Sequence, residues 1–119
     1  MTLTEHLTEL GMARTCDAIT PSAYAAARKL LLDTLGCLLA GHREPGVAEA
    51  AGLMQNWGGK PEASILLRNA RVPMPNAAFA NSVMIHALDY DDVYIPACAL
   101  HITSMIVPAM LAAAEVSGA

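Results

Sequence analysis

Residues 20–41, with the sequence TPSAYAAARKLLLDTLGCLLAG, decide the fold of this chain. Thr20 is a good helix-capping residue, and Pro21 follows it in the first turn, where proline is favoured. Side chains that suit a buried face then recur at helical spacing, and they are Ala23, Ala27, Leu30, Leu31, Thr34, Leu35, Leu38 and Leu39. The stretch therefore predicts a long helix that packs against other helices.

Two glycines in this helix carry separate expectations. Gly41 is a natural C-terminal stop, because glycine readily adopts the backbone conformation that ends many helices. Gly36 lies inside the helix, where glycine costs about 1 kcal/mol relative to alanine. We expect another helix to cross closely at Gly36, since a close approach of two backbones would account for a residue without a side chain.

One further helix is predicted before this one in the chain, and another is predicted after it. The first covers residues 4–13, and Thr2 or Thr4 can cap it. The third in chain order covers residues 47–57, and the pair Gly58-Gly59 ends it.

A fourth helix opens at Pro75 and runs to residue 87, and a fifth follows a cap at Thr103 or Ser104. Pro108 lies about one turn into the fifth helix, so that helix either starts late or kinks there. It is apolar nearly all round, which predicts a central rather than a surface position.

A short hairpin is expected between the third and fourth helices. Residues 63–67 form a β-like run, and residues 68–71 can turn it so that Val72 pairs back. The sequence therefore predicts an all-α fragment of a helical domain over residues 1–119, with about five helices and a short β-hairpin near residues 63–72.

Composition excludes several classes of protein. The chain is 55% apolar and 15% charged, so it can bury a core, and disorder is not expected. Such an apolar small chain should hide one face against more protein, either a partner subunit or a missing domain. The net charge is −4 and the basic residues are scattered, which argues against a nucleic-acid partner.

Two further features indicate the compartment. The three cysteines, Cys16, Cys37 and Cys98, are an odd count without metal-type spacing, which favours free thiols in a reducing cytoplasm. The longest apolar stretch, residues 105–114, is broken by Pro108 and spans roughly half of a membrane crossing, so no membrane partner is expected. Cys37 lies on the apolar face of the second helix and should be a core residue.

The residues that can carry chemistry concentrate in residues 86–94, HALDYDDVY, followed by His101. Two groups of different proton affinity held close together are what proton abstraction and leaving-group protonation require. His86 and Asp89 are three residues apart, so on a helix end Asp89 would orient or stabilise His86. His101 precedes the last helix, whose N-terminus favours an anionic ligand.

Less specific interpretations stand beside this one. An acidic loop is often solvated surface, Asp91 and Asp92 are typical of a turn, and a histidine beside a helix cap is often structural. A metal site is the sharper competitor, because His86, Asp89, Asp91 and His101 are all usable ligand types. Their spacing matches no common zinc or calcium template, so no metal is predicted.

Four segments together resemble the MmgE/PrpD family, the group of 2-methylcitrate dehydratase and cis-aconitate decarboxylase. They are residues 27–37 with residues 40–41, residues 77–82, residues 86–92 with His101, and residues 107–115. The third segment is the most specific. The resemblance implies a large all-helical domain beside a smaller α/β domain, with the active site between them and no iron–sulfur cluster or organic cofactor.

The resemblance also implies roles for individual residues. Asp89 and His101 match catalytic positions, where His101 would transfer a proton and Asp89 would hold or polarise the substrate or a neighbouring group. His86, Tyr90 and Asp92 match the motif as substrate-binding residues. The substrate would be a small polycarboxylate such as 2-methylcitrate or cis-aconitate.

Three hypotheses follow from the sequence. The first is a lyase-type helical fragment that is inactive alone, since family chains are several times longer, and that joins a complementary chain carrying the missing domain or forms a homo-oligomer. The second is a non-catalytic helical interaction module. The third is a small metal-binding protein that uses the acidic loop.

Overall fold

The computed structural model describes residues 1–13, 15–95 and 99–119, and within them the chain forms five α-helices and one hairpin. The helices are α1 (Leu3–Ala13), α2 (Pro21–Gly41), α3 (Val47–Trp57), α4 (Met74–His86) and α5 (Thr103–Ser117). The strands β1 (Ala63–Ile65) and β2 (Ala70–Val72) lie between α3 and α4. The predicted predominantly helical fold with a short hairpin is confirmed.

Hydroxyl caps start the first two helices, as the sequence predicted. The Thr2 hydroxyl accepts a hydrogen bond from the Glu5 amide at 3.2 Å, and the Glu5 carboxylate accepts one from the Thr2 amide at 2.7 Å. The Thr20 hydroxyl accepts from the Ala23 amide at 3.2 Å. Each contact satisfies an amide that has no partner within its helix.

Glycines enclose α3 at both ends. Gly46 precedes the helix at φ 87°, and Gly58 and Gly59 follow it at φ 66° and 111°. Residues with a Cβ rarely adopt these positive φ angles, so glycine permits both turns. The predicted end of the helix at Gly58-Gly59 is confirmed.

The hairpin is attached to the helices by side-chain hydrogen bonds. Ala63 pairs with Val72 and Ile65 with Ala70 in the antiparallel register. The buried Asn81 of α4 accepts from the Leu66 amide at 2.8 Å and donates to the Ser64 carbonyl at 3.0 Å. One amide side chain therefore satisfies two backbone groups at the end of β1.

A second attachment comes from α5. The Glu115 carboxylate accepts hydrogen bonds from the Ser64 amide at 3.0 Å and the Ser64 hydroxyl at 2.8 Å. It also pairs with the Arg71 guanidinium at 2.9 Å. These hydrogen bonds hold the pKa of the Glu115 carboxyl below its ordinary value, with the Arg71 charge as a smaller cause.

The core lies around α4, which packs against α2, α3, α5 and the hairpin. Its small residues Ala77 and Ala80 and its larger residues Met84 and Ile85 are all buried. The buried side chains that meet them from the other elements are Cys37, Leu38, Val47, Ala51, Met54, Ala63, Ile65, Val72 and Ala112. Cys37 is a core residue, as predicted.

The prediction of a central rather than a surface position for α5 is wrong within this chain. The helix buries Ser104, Val107 and Ala112, but Met105 and Met110 remain more than half exposed, at 57% and 56%. Helix formation starts at Thr103, and Pro108 is accommodated inside the helix, so neither Thr103 nor Ser104 occupies the capping position.

The close helix crossing occurs at Gly41 rather than at Gly36. Nothing lies within 4 Å of a Cβ placed on Gly36, so that prediction is wrong. A Cβ on Gly41 would overlap the carbonyl oxygen of Met84 and lie 3.2 Å from the Ala87 side chain. Gly41 is the last residue of α2, as expected, but the approach of α4 is what leaves no room for a side chain there.

The structure also bears on the expectations about membrane crossing and about the cysteines. None of the helices in the described ranges is long and apolar enough to cross a membrane. Cys16 and Cys37 are free thiols, and Cys98 lies outside the described residues.

We expect Gly41→Ala to lower the free energy of unfolding by about 1–3 kcal/mol, because the added methyl group forces α2 away from α4. Gly36→Ala is the matched control, and it should raise stability by about 0.5–1 kcal/mol through helix propensity alone. Urea unfolding monitored by circular dichroism measures both changes. Equal stability of the two variants would contradict the crossing.

The low pKa of Glu115 predicts a pH dependence. A depressed folded-state pKa contributes stability above the unfolded value, and this contribution is lost as the pH falls through the folded value. Glu115→Gln should therefore flatten the loss of melting temperature between neutral and acidic pH, whereas Glu49→Gln on the exposed surface of α3 should not. An unchanged acid profile in Glu115→Gln would refute this contribution.

Candidate active site

The site begins where α4 ends at His86. The Asp89 amide donates a hydrogen bond to the His86 carbonyl at 3.0 Å, which closes a turn after the helix. Asp89 itself has φ 56°, in the left-handed region that non-glycine residues seldom adopt. Aspartate tolerates this conformation better than most residues, but the backbone is still strained there.

His101 lies between two carboxylates. Its Nε2 atom is 3.3 Å from Asp89 Oδ1, and its Nδ1 atom is 3.2 Å from Asp91 Oδ2. The histidine stands two residues before α5, so it lies near that helix's N-terminus, as predicted. The structure thus brings together Asp89 and His101, the two residues expected to be catalytic.

His86 pairs with Asp91, which corrects the sequence-based pairing with Asp89. The Nδ1 atom of His86 is 2.9 Å from Asp91 Oδ1. The α-helix stops at His86, so the three-residue spacing that would place Asp89 beside it on one helix face does not apply. The rings of His86 and His101 pack edge to face, with centroids 4.7 Å apart.

Asp91 is the buried member of this group, and its side chain is 0% exposed. Burial acts to raise the pKa of the Asp91 carboxyl, but the Ser104 hydroxyl and the His86 ring outweigh it, and the pKa lies below its ordinary value. The carboxylate form is therefore favoured inside the protein, where a charge needs close polar partners.

Asp92 contacts the start of α5. Its Oδ1 atom accepts a hydrogen bond from the Thr103 amide at 3.0 Å and another from the Thr103 hydroxyl. This carboxylate performs the capping that was expected of Thr103 or Ser104, and its negative charge suits a helix N-terminus. A contact between Asp92 and substrate stays a prediction.

A cleft of about 290 Å³ opens beside the two histidines. His86, His101 and Ser104 provide polar groups on its wall, while Phe79, Val83 and Met105 provide apolar surface. The His86 side chain is about half exposed and that of Asp89 is 74% exposed, so both can reach a ligand. Tyr90 is 71% exposed, and its role in binding stays a prediction.

The same side chains could also bind a metal cation. One ligand-type atom from each of His86, Asp89, Asp91 and His101 lies within 4.8 Å of the others. The fold gathers four side chains whose sequence spacing fits no standard metal template.

The environment of Cys37 disfavours its reactive form. Burial raises the pKa of its thiol, and the negative charges of Asp33, Asp91 and Asp92 raise it further. Because the thiolate is the reactive form, this thiol is less reactive at neutral pH than an ordinary cysteine.

The sequence predicted a turn or a metal ligand at Asp91. It did not predict that this side chain lies between the two histidines. The pattern DYDD offers three carboxylates, and nothing in it tells which one points inward. The only available signal was the set of nearby histidines, which a buried carboxylate would need as partners.

Comparison with known proteins agrees with the resemblance noted in the sequence. A family model described as the MmgE/PrpD N-terminal domain matches residues 5–119. The cis-aconitate decarboxylase-like protein oryM of Aspergillus oryzae (strain ATCC 42149 / RIB 40) is 34% identical over 125 residues. The alignment covers 98% of this chain and 26% of that relative, so the chain spans about a quarter of its length. No solved structure gives a significant match.

The capping contact of Asp92 predicts a loss of stability in Asp92→Ala of about 1–2 kcal/mol, because the Thr103 amide and hydroxyl lose their acceptor. Asp92→Asn keeps an amide oxygen at the same position and should lose less. Urea unfolding of both variants measures the difference. The cap has no energetic role if Asp92→Ala unfolds at the same urea concentration as the parent chain.

Proposed function

The chain belongs to the MmgE/PrpD family through its N-terminal domain, and on that premise we propose that it supplies part of the active site of a lyase acting on small polycarboxylates. Candidate substrates are 2-methylcitrate and cis-aconitate, and the reaction is a dehydration, decarboxylation or epimerisation without a cofactor. The observation that carries the proposal is the 3.3 Å contact between His101 Nε2 and the exposed carboxylate of Asp89, next to a cleft.

His101 is the proton-transfer group in this proposal. Loss of water or CO2 from a polycarboxylate requires a proton to leave or join a carbon near a carboxylate, and a positioned imidazole can do either. Asp89 lies 3.3 Å from Nε2, where its negative charge would stabilise a proton taken up by the ring, and its exposure leaves it free to polarise the substrate or a neighbouring group.

The other motif residues are assigned to substrate binding. His86 is half exposed on the cleft wall, which supports its assignment. Asp92 engages Thr103 through Oδ1, so only Oδ2 remains for a ligand. Tyr90 lies at the exposed end of the same loop.

The site as described lacks one requirement of the chemistry. Negative charge develops on the substrate, and cationic groups must stabilise it. The proposed group of His86, Asp89, Tyr90, Asp92 and His101 contains no lysine or arginine. We assign that positive charge to the remainder of the enzyme, and this chain alone should have little or no turnover.

The remainder has a surface on which to pack. An apolar cleft of about 420 Å³ lies between α2 and α5, lined by Tyr24, Leu30, Leu31, Ile106 and Met110. Exposed apolar surface of this kind is typical of an interface. We place there a complementary chain that carries the missing domain, or a second copy of this chain.

The free thiols of Cys16 and Cys37 support a cytoplasmic location.

The test joins residues 1–119 to the part of the Aspergillus oryzae relative that lies beyond the match, and follows 2-methylcitrate and cis-aconitate by NMR. His101→Ala and Asp89→Asn should each lower turnover by about 10²-fold or more. His6→Gln, on the exposed helix α1, is the control and should leave turnover unchanged. Turnover that survives both substitutions at the site would refute the assigned roles.

Metal binding is the competing function for the same side chains, and their grouping within 4.8 Å favours it. Elemental analysis after purification without chelators decides between the two. One bound divalent ion per chain, lost in His101→Ala, would replace the acid–base assignment with a metal site.

A non-catalytic interaction module is the remaining alternative. Light scattering with a polycarboxylate titration tests it. A stable homo-oligomer that binds no polycarboxylate would favour the module over the lyase.

A further inference from the structure

We propose that Asp91 is a positioning residue that fixes the ring orientation and the tautomer of both His86 and His101. The inference rests on the proposed function for its catalytic meaning, but its structural content concerns the two rings alone. Asp91 itself does not reach the substrate, because its side chain is fully buried.

The first step is the distribution of the carboxylate oxygens. Oδ1 faces His86 Nδ1 at 2.9 Å, and Oδ2 faces His101 Nδ1 at 3.2 Å. Each oxygen thus has a different imidazole as its neighbour. A single buried carboxylate sets the positions of two rings that lie 4.7 Å apart.

The second step is the direction of the hydrogen bonds. An ionised carboxylate only accepts, so any ring nitrogen bonded to it must carry a hydrogen. The low pKa of Asp91 is consistent with the ionised form. His86 therefore carries a hydrogen on Nδ1. For His101, which lies between two carboxylates, we infer the same tautomer, because the fully buried charge of Asp91 needs a donor more than the solvent-exposed charge of Asp89 does. In each neutral ring the basic nitrogen is then Nε2.

The third step is what this means for His101. Its Nε2 atom faces Asp89 Oδ1, the exposed carboxylate of the pair. A proton taken up at Nε2 would be held between His101 and Asp89, on the open side of the site. With the hydrogen on Nε2 instead, the basic nitrogen would face the buried Asp91 and could not reach a substrate.

One contact is incomplete in the free chain. His101 Nδ1 and Asp91 Oδ2 are both buried and neither makes a hydrogen bond of good geometry, although they are 3.2 Å apart. Unpaired buried polar atoms are costly, and catalytic hydrogen bonds are often poorly aligned before the substrate binds.

The test reads the tautomers directly. Long-range ¹H–¹⁵N NMR spectra of the histidine rings distinguish Nδ1–H from Nε2–H, at a pH raised until the ring signals stop changing. We expect both His86 and His101 to be Nδ1–H in the parent chain. An Nε2–H ring at either position in the parent chain would overturn the proposal, whether or not any variant folds.

The variants add the causal link. Asp91→Asn replaces one oxygen with an NH2 donor, so at least one of the two rings should change to Nε2–H. Asp92→Asn, at the neighbouring carboxylate that contacts Thr103 instead, is the matched control and should leave both tautomers in place. Unchanged tautomers in a folded Asp91→Asn chain would also overturn the proposal.

Turnover in the joined protein is a separate readout. Asp91→Asn should lower kcat by about 10²-fold or more with KM changed less than about threefold, because the base is misoriented while the substrate contacts remain. If His101→Ala has no effect on turnover, the proposed function fails while the tautomer result still stands. If His101→Ala abolishes turnover and Asp91→Asn does not lower it, the positioning role fails by itself.

Discussion

The contact on which this structure depends is the crossing of α2 over α4 at Gly41. The backbone of α2 approaches the Met84 carbonyl and the Ala87 side chain so closely that no side chain fits between them. These two residues flank the last turn of α4, and His86 lies between them in the chain. The contact that packs α2 against α4 therefore lies next to the place where α4 ends and the acidic loop begins.

The loop beyond that point is organised by contacts between carboxylates and imidazole rings at two depths. Asp91 is buried and faces both imidazoles, whereas Asp89 is exposed and faces only His101. Asp92 takes no part in this pairing and instead joins the loop to the start of α5. Three acidic residues within four positions thus have three different environments, and this separation gives the site a buried side and an open side.

The helices could be predicted from local signals because their ends depend on nearby residues. The Thr20 cap, Pro21 and the Gly58-Gly59 pair each act within one turn of the boundary they set. The relation between elements could not be predicted in the same way. Spacing suggested that Gly36 would meet a neighbouring helix, but only the packed structure shows that Gly41 does.

In the site, too, local features could be predicted from the sequence, whereas contacts between elements could not. Residue types within one short window indicated that acid–base chemistry was available, and Asp89 and His101 do lie together. The partner of His86 depended on where α4 ends and on which carboxylate turns inward, and neither follows from the order of residues in DYDD. The cap of α5 likewise comes from Asp92, eleven residues before the amide that it binds.

The left-handed backbone of Asp89 has a consequence for any effort to engineer this domain. At φ 56° a glycine or an asparagine would fit with less strain, so a selection for thermal tolerance alone would accept either one at this position. Such a variant would be a hardier scaffold that has lost the negative charge beside His101. Screens that score heat resistance alone would therefore favour loss of the carboxylate that contacts His101.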